Sequence, residues 1–525
     1  MALASKPDSD DSTRANRRSL DLRPEVDIPA DGGTGVPVRR IGLEQEFFLV
    51  DRTGELCDLA DLYLRECWEA AEAEGLDPRC FKTECVRSLV EITTPPSSGF
   101  EDLARNYLSN LSLALEVGAE LGLRLYPLGT YPLPIRSEVR DDPGYRVQAR
   151  TIGHDRFLHA GRCAGAHLHL ELPAGTVWPD IKTALDAPGA AQEELLNLYN
   201  LATALDPMLV ALTRACPFYE GRASGFAART VYYRGMLGLE GLYADLQEVG
   251  ALSAYATRVE DLIDRQGERY GAWFAAMDVA GVDRRLFASA GGNLHRASWN
   301  PVRLNYHGTV EIRSMDANFP EVILAVGALV CGAADRLRHE RLRVRPSRQV
   351  RTFELDGDEL LVPDFSYLSG ELLDAAVTNG VSDQRIEAYL DSFVGFARAY
   401  VEEPDLVKAI RGSGGGYNTT EAGILSSLPP LEATVSREQG LWLVQRSCRR
   451  LREQVSSLRR GHHRARQDGG HEESIGVLPT SLEAFRWHCD HRFRADARER
   501  GEPNEHLPHK DPTGRRRFEG GRASR

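Results

Sequence analysis

The sequence predicts an α+β fold in which helices cover one face of a β-sheet. Two patterns predict it: short segments that alternate apolar and polar residues, and longer segments whose apolar residues recur at helical spacing. Hydrophobic residues make up 42% and charged residues 27% of the 525 residues, which is enough for a sizeable core. The short strands are placed between the longer helices along the chain, and this order favours the layered arrangement.

The predicted helices and strands begin at residue 41 and end at residue 460. A capping box, Ser436 with Gln439, is expected to open a last helix that runs through Arg460. The remaining predictions are strands at 41–50, 89–93, 165–172 and 308–314, and helices at 61–74, 101–121, 191–214 and 321–338.

The two ends of the chain show no such periodicity. Residues 1–37 are rich in Asp, Ser, Arg, Pro and Gly and are predicted to be a disordered leader. Residues 461–525 are polar and rich in Arg and Gly, and are predicted to be a basic, disordered tail. The folded domain is therefore expected to span residues 38–460.

Composition excludes several classes of partner. The net charge of −13 argues against a protein that binds the phosphate backbone of nucleic acids. Nine scattered cysteines without a C-x-x-C pair indicate reduced thiols. The longest apolar stretch, 322–334, is too short to span a bilayer, and the polar N-terminus has no signal-peptide core. We therefore expect a cytoplasmic protein without a membrane partner.

Two predicted strands carry polar pairs at a spacing of two residues, which places both members of each pair on one face. Glu44 and Glu46 share a face of the first strand, and Gln45 points to the other face. His167 and His169 share a face of the strand at 165–172.

The other two strands add further charged groups. Glu311 and Arg313 share a face of the last strand, and Glu91 lies in the middle of the second. Glu84 precedes Glu91 by an odd spacing, so it reaches the same face only if the chain turns or bulges between Cys85 and Ser88.

Two interpretations account for these polar faces. An antiparallel sheet often has one solvated face, and a single Glu-x-Glu strand needs no other explanation. Glutamate is, however, a poor strand former, and clustered carboxylates repel one another unless a cation lies among them. Carboxylates with one imidazole suit Mg²⁺ or Mn²⁺, which bridge nucleotide phosphates. His167 is a candidate ligand, whereas His169 is favoured as a hydrogen-bonded sheet residue, and Arg313 is placed to contact a phosphoryl group.

In order, these segments resemble the glutamate–cysteine ligase family, in particular its bacterial carboxylate–amine ligase branch. The resemblance covers residues 40–335. The matching segments are IGLEQEFFLV at 41–50, SLVEITTPP at 88–96, GAHLHLEL at 165–172, CPFYEGRASGFAAR at 216–229 and GTVEIRSMDAN at 308–318.

The resemblance implies a fold like the glutamine synthetase catalytic domain, a curved antiparallel sheet with helices on its convex face. It implies that Arg313 stabilises a transferring phosphoryl group and that Arg229 contacts nucleotide phosphate or a substrate carboxylate. It also implies ATP and Mg²⁺ as cofactors, with Mn²⁺ as an alternative ion, and these metal ligands: Glu44, Glu46, Glu84, Glu91, His167 and Glu311.

The implied reaction forms an amide in two steps. ATP phosphorylates a substrate carboxylate, and an amine then attacks the acyl phosphate and releases phosphate. Glutamate and cysteine are the expected substrates, as in glutathione biosynthesis. The sequence departs from the family pattern at Gln45, where an acidic residue is common, and at Ala166, where glycine is common. Because Gln45 faces away from Glu44 and Glu46, the metal site is expected to survive.

Four alternatives stay open at this point. They are a ligase for other substrates on the same scaffold, a guanidino-type phosphotransferase, a zinc hydrolase that uses the histidine pair, and a non-catalytic metal-binding scaffold protein. The glycine run at 412–416 fits either a plain flexible loop or a lid over phosphates. The sequence predicts no oligomeric state.

Overall fold

The fold is built around an antiparallel sheet. The computed structural model describes residues 39–467, except 137, 177–186, 403, 413–414 and 429–433. The predicted leader and nearly all of the predicted tail thus lie outside the described residues. The strands are β1 (Ile41–Asp51), β2 (Phe81–Thr83), β3 (Leu89–Thr93), β4 (Leu123–Tyr126), β5 (Gly165–Glu171), β6 (Phe218–Tyr219), β7 (Arg222–Ala223), β8 (Val302–Asn305), β9 (Thr309–Asp316), β10 (Arg343–Ser347), β11 (Glu354–Asp356) and β12 (Glu359–Pro363).

The long helices lie between these strands, as the spacing of apolar residues predicts. A π-helical turn at Leu368–Leu372 joins α11 to α12. The helices are α1 (Ala60–Glu74), α2 (Phe100–Leu121), α3 (Pro143–Ile152), α4 (His154–Arg162), α5 (Gly189–Leu212), α6 (Ala228–Arg234), α7 (Gln247–Gly250), α8 (Val259–Val279), α9 (Arg284–Ser289), α10 (Pro320–His339), α11 (Phe365–Tyr367), α12 (Leu373–Thr378), α13 (Gln384–Ala397), α14 (Thr420–Ser427) and α15 (Arg437–Gln467).

The main sheet has seven strands in the order β2-β3-β1-β5-β9-β8, with β4 paired to the end of β1, and every pairing in it is antiparallel. The four predicted strands form its centre. A smaller sheet, β10-β12-β11, and the two-stranded β6-β7 lie outside it. The predicted antiparallel sheet with helices is therefore confirmed.

One face of the main sheet is apolar and packs against the long helices. Leu43, Phe47 and Leu49 of β1 belong to a single buried core with residues of α1, α2, α5 and α10. Gln45 also lies on this face, fully buried, where it accepts a hydrogen bond from Tyr107 Oη at 2.6 Å and donates one to the Asn318 carbonyl at 2.7 Å. Both ends of its amide are satisfied, so the residue stabilises the core and does not reach the polar face.

The other face is polar and is bordered by shorter helices. Burial raises the pKa of the Tyr145 phenol in α3, and the nearby Glu84 carboxylate raises it further. Burial likewise raises the pKa of the Tyr233 phenol in α6, and the nearby Glu46 carboxylate raises it further. Helices thus flank the polar face as well as covering the apolar one, which the sequence pattern did not predict.

Two features of the C-terminal half match the sequence prediction with small differences. The predicted capping box is present: the Ser436 N–H donates to Gln439 Oε1 at 3.0 Å, and the Gln439 N–H donates to Ser436 Oγ at 3.2 Å. The helix that it opens, α15, continues to Gln467 and so passes the predicted end at Arg460.

Among the described residues, α5 alone is long and apolar enough to cross a membrane. Of its apolar window, 89% is buried inside the protein, and residues from Leu195 to Leu212 belong to the main core. The apolar character of α5 is therefore accounted for by core packing.

Candidate active site

The polar face of the main sheet brings together the metal-ligand candidates predicted from the sequence. We refer to them as the carboxylate cluster: Glu44, Glu46, Glu84, Glu91, His167 and Glu311. The register explains how they meet, because Glu46 lies opposite Glu91 and Glu44 lies opposite His167. Glu311 lies opposite His169, which is two residues beyond His167 along β5.

Glu84 joins the cluster through the turn that its odd spacing required. β2 and β3 pair as a hairpin, with Thr83 opposite Val90, and Glu84 is the first residue of the connection. Burial raises the pKa of the Glu84 carboxyl well above its usual value, and the carboxylates of Glu46 and Glu91 raise it further. This effect requires the three side chains to lie close together.

His167 lies at the centre of the carboxylate cluster. Two groups of ligand atoms, each within 4.8 Å of one another, share it: Glu44 with His167 and Glu311, and Glu46 with Glu91 and His167. His167 Nδ1 lies 3.3 Å from Glu44 Oε2, while its buried Nε2 has no hydrogen-bond partner. A buried ring nitrogen without a partner is expected where an ion would bind.

The protonation of His167 fits the same role. Burial lowers its pKa to about 3, and the Arg313 guanidinium contributes to the lowering. The imidazole is therefore neutral near pH 7, which is the form that binds a metal. With Nδ1–H donated to Glu44, the lone pair of Nε2 stays available. The oxygen-rich donor set with one imidazole fits Mg²⁺ or Mn²⁺.

The two halves of the carboxylate cluster differ in charge balance. Glu311 is buried, yet its pKa is held well below the usual value because Arg303 and Arg313 outweigh the effect of burial. Arg303 donates to both of its oxygens, from Nε at 2.7 Å and from Nη2 at 3.2 Å, and Arg313 and Asn305 donate to them as well. Glu311 therefore fixes the two guanidinium groups, and its role as a metal ligand stays a prediction.

The opposite half has fewer cations. Burial raises the pKa of Glu46, although Arg229 lowers it in part and the Gly165 N–H donates to its Oε2 at 2.6 Å. Burial raises the pKa of Glu91 to about 7, and the Glu44 carboxylate also raises it. With Glu84 included, three neighbouring carboxyls have raised pKa values, because each is buried and lies near other carboxylates.

His169 is a partner of Glu44. Its Nε2 lies 3.4 Å from Glu44 Oε2, and its Nδ1 lies 2.9 Å from Thr309 Oγ1. Burial alone would lower its pKa, but the Glu44 carboxylate raises it above the ordinary value. In its protonated form His169 stabilises the Glu44 carboxylate.

The two arginines predicted for substrate contact lie beside each other. Arg313 Nη1 lies 3.4 Å from His167 Nδ1, and the Arg313 carbonyl accepts a hydrogen bond from Arg229 Nη1 at 3.1 Å. Arg229 is 4% exposed, its Nε has no hydrogen-bond partner, and it lies over the Tyr233 ring at 5.1 Å. Both line a small cavity together with Trp299 and Pro301.

Two residues of the site escaped the sequence prediction. Lys82 Nζ lies 3.2 Å from Glu44 Oε1 and 3.0 Å from Glu91 Oε1, and Arg303 forms the bidentate pair with Glu311 described above. Each occupies the middle of a short strand, β2 or β8. The alternation of Arg303 and Asn305 with Val302 and Leu304, just before the Gly308 turn, is the signal that would have revealed β8.

The glycine run lies only partly within the described residues. The Gly412 N–H donates to the Gly416 carbonyl at 2.7 Å, and residues 413–414 are outside the description. Whether this turn is a lid therefore stays untested.

Comparison with known proteins agrees with the arrangement of motifs. Residues 40–370 match the model of glutamate–cysteine ligase family 2. A relative in Salinispora arenicola (strain CNS-205), named "Putative glutamate--cysteine ligase 2", is 24% identical over 304 residues, which cover 52% of this chain and 72% of that protein. A relative of the same name in Pseudomonas paraeruginosa (strain DSM 24068 / PA7) is 26% identical over 214 residues, 41% of this chain and only 49% of that protein.

Solved structures resemble the chain more distantly. A glutamate–cysteine ligase from Francisella tularensis in complex with AMP overlaps 88% of this chain and 99% of its own, with 12% identity and a TM-score of 0.40. A bifunctional glutathione synthetase from Pasteurella multocida overlaps 81% of this chain and 54% of its own, with 15% identity and a TM-score of 0.36. Because the family model spans more than half of the 525 residues, this chain belongs to glutamate–cysteine ligase family 2.

Proposed function

We propose that the protein is an ATP-dependent carboxylate–amine ligase that joins glutamate to cysteine through an acyl phosphate. The observation that carries the proposal is the pair of candidate cation groups that share His167, with Arg313 in contact with both His167 and Glu311. Family membership supports the ligase reaction. The chain spans about half the length of some curated relatives, so the substrates belong to the proposal.

Divalent ions held by the carboxylate cluster would bridge nucleotide phosphates and offset their charge. The chain's own residues contribute by holding charged groups in fixed positions. Glu311 holds Arg303 and Arg313 in place, which aims the Arg313 guanidinium at the space in front of His167. A guanidinium fixed in this way stabilises negative charge on a transferring phosphoryl group without reorganising during the reaction.

Arg229 is suited to hold an anionic substrate group. It is buried and forms no ion pair among the described residues, and it borders the cavity that Arg313 also lines. Its charge partly offsets the raised pKa values of Glu46 and Asp316, but neither carboxylate forms a direct ion pair with it among the described residues, so a ligand anion can make that contact. A carboxylate or phosphate in this cavity would lie beside both arginines.

The proposal is tested by incubating the protein with Mg-ATP, glutamate and a panel of amines, with phosphate release and product mass as readouts. Glutamate- and cysteine-dependent phosphate release, with a product mass equal to the condensed pair, is expected. ADP formation with a phosphorylated product and no free phosphate would indicate a guanidino-type phosphotransferase instead. Turnover with a different amine would keep the ligase and overturn the choice of cysteine.

Two variants connect the activity to this site. Glu46→Gln and Arg313→Met are expected to lower turnover by at least about 100-fold, because the first removes a candidate metal ligand and the second removes a positive charge that would act on the transferring phosphoryl group. Glu171→Gln is the matched control, since Glu171 lies on the same sheet but pairs with the surface residue Arg40. Near-normal turnover of Glu46→Gln or Arg313→Met would show that this face is not the active site.

A further inference from the structure

Lys82 places a fixed positive charge inside the carboxylate cluster. In the β2–β3 hairpin it lies opposite Glu91, so both side chains project from the same face of the sheet. Its ammonium group lies 3.0 Å from Glu91 Oε1 and 3.2 Å from Glu44 Oε1. Its side chain is 40% exposed, whereas those of Glu44 and Glu91 are 16% and 9% exposed, so it approaches them from the solvent side.

The two carboxylates that Lys82 bridges belong to different candidate cation groups. Glu44 belongs to the group with Glu311, and Glu91 belongs to the group with Glu46, while both groups share His167. An ammonium ion that contacts one oxygen of each lowers the negative potential at both positions. A divalent cation entering either group would lie close to a like charge.

We propose that Lys82 is a resident counter-ion of the carboxylate cluster that competes with divalent cations for Glu44 and Glu91. The inference rests on the metal centre of the proposed function, but not on the identity of the substrates. When an ion binds, like-charge repulsion weakens the contacts of Lys82 with both carboxylates. Its flexible stem and exposed position then allow the ammonium group to move towards solvent.

Titration with Mn²⁺ in the absence of ATP and amino acids tests the competition directly. Lys82→Met, which keeps the length of the stem and removes the charge, is expected to bind Mn²⁺ at least about tenfold more tightly than the wild type. Lys82→Arg keeps the charge and is expected to bind within about threefold of the wild type. A purely structural ion pair predicts a less stable Lys82→Met protein with unchanged or weaker Mn²⁺ binding, and that result overturns the proposal.

A second measurement does not depend on the folding of Lys82→Met. The sequence contains five lysines, so ¹³C-dimethylation, which keeps the charge of each, gives few NMR signals. Lys82→Arg identifies the Lys82 signal by its disappearance. Saturating Mg²⁺ is expected to shift that signal towards the position of a freely solvated lysine, and an unchanged Lys82 signal at saturation overturns the proposal.

The outcome separates this inference from the proposed function. Tighter Mn²⁺ binding by Lys82→Met together with absent ligase turnover supports the counter-ion role and removes the ligase. Normal ligase turnover of the wild type together with unchanged Mn²⁺ affinity of Lys82→Met supports the ligase and overturns the counter-ion role. Absence of Mn²⁺ binding in the wild type and in Lys82→Met overturns both.

Discussion

His167 is the residue on which both candidate cation groups depend. Its ring is neutral because burial and Arg313 lower its pKa to about 3, and its Nε2 lacks a partner. Glu44 fixes the ring through Nδ1, as carboxylates commonly do for metal-binding histidines. Because only Nε2 keeps a lone pair, the ring can bind one ion, and carboxylates of both groups lie around it.

Glu84 gives a prediction that depends on pH. The pKa of its carboxyl is raised in the folded, metal-free chain, mainly by burial and then by Glu46 and Glu91. A raised carboxyl pKa means that stability is highest below the unfolded pKa of about 4.3 and falls as pH rises towards the folded value. A buried histidine with a lowered pKa, such as His167, makes stability rise with pH only up to its unfolded pKa of about 6.5. Above that pH it no longer opposes the effect of Glu84.

Glu84→Gln should therefore stabilise the metal-free chain more at pH 8 than at pH 5. Denaturant unfolding in EDTA at the two pH values measures the difference. Glu171→Gln, which changes a carboxylate outside the carboxylate cluster, is expected to show no such trend. An equal loss of stability in Glu84→Gln at both pH values would contradict the assignment of the raised pKa.

At the scale of single elements, an irregularity in β9 decides where Met315 points. Leu168 pairs with Ile312 and Ala166 pairs with Met315, so two residues of β9 oppose the single residue His167. Arg313 faces the carboxylate cluster, the adjacent Ser314 turns to the other side and donates to Asp206 of α5, and the bulge leaves Met315 on that other side as well. Strict alternation would have given Arg313 the same face, but it does not predict where Met315 points.

Gly165, the first residue of β5, allows the close approach of Arg229. A Cβ atom at Gly165 would lie 2.1 Å from Arg229 Nη2, whereas the neighbouring Ala166 is buried on the apolar face. The departure from the family pattern at Ala166 therefore leaves Arg229 undisturbed. The glycine that the site requires is the one before it.

Gly165→Ala is expected to displace Arg229 and to lower turnover by about 100-fold, with a loss of about 1–3 kcal/mol of stability from the overpacked contact. Steady-state kinetics and denaturant unfolding measure the two effects. Gly42→Ala on the adjacent strand β1 is the control, because its Cβ would meet His169 Cβ at an ordinary 3.6 Å. If Gly165→Ala lost no more activity than Gly42→Ala, the close approach of Gly165 and Arg229 would not be needed for turnover.

At the scale of the whole molecule, the sheet divides the protein into an apolar core on one face and a strained polar site on the other. Three carboxyls with raised pKa values, Glu46, Glu84 and Glu91, cost stability when they ionise without a cation. A ligand that binds the folded chain alone stabilises it by mass action. Divalent cations should therefore act as structural ligands as well as cofactors.

Mn²⁺ at about 100 times its dissociation constant is expected to stabilise the wild type at pH 8 by about 2.7 kcal/mol. Thermal melts with Mn²⁺ and with EDTA measure the effect. Replacement of Glu46 and Glu91 together by Gln should remove most of it, while Glu171→Gln should retain it. An equal Mn²⁺ effect in the double variant would place the ion elsewhere.

The sequence by itself determined most of the elements that frame the site, although it did not predict the long helices α8 and α13. The four long motif strands and the helices at 61–74, 101–121, 191–214 and 321–338 were predicted with end positions within two residues. The alternation of residues also determined which side chains share a face within one strand, as for Glu44 and Glu46 against Gln45. These features are local, since they depend only on backbone geometry and on burial of one face.

Only the tertiary structure decided which side chains of different strands contact one another. Lys82 belongs to a strand of three residues, which is too short for a recognisable period. Its partners Glu44 and Glu91 lie on other strands and are reached through pairing between strands. The shared position of His167 likewise depends on the register of β5 against β1 and β9. Register between strands distant in sequence is set by packing of the whole core, so no pattern within one segment can specify it.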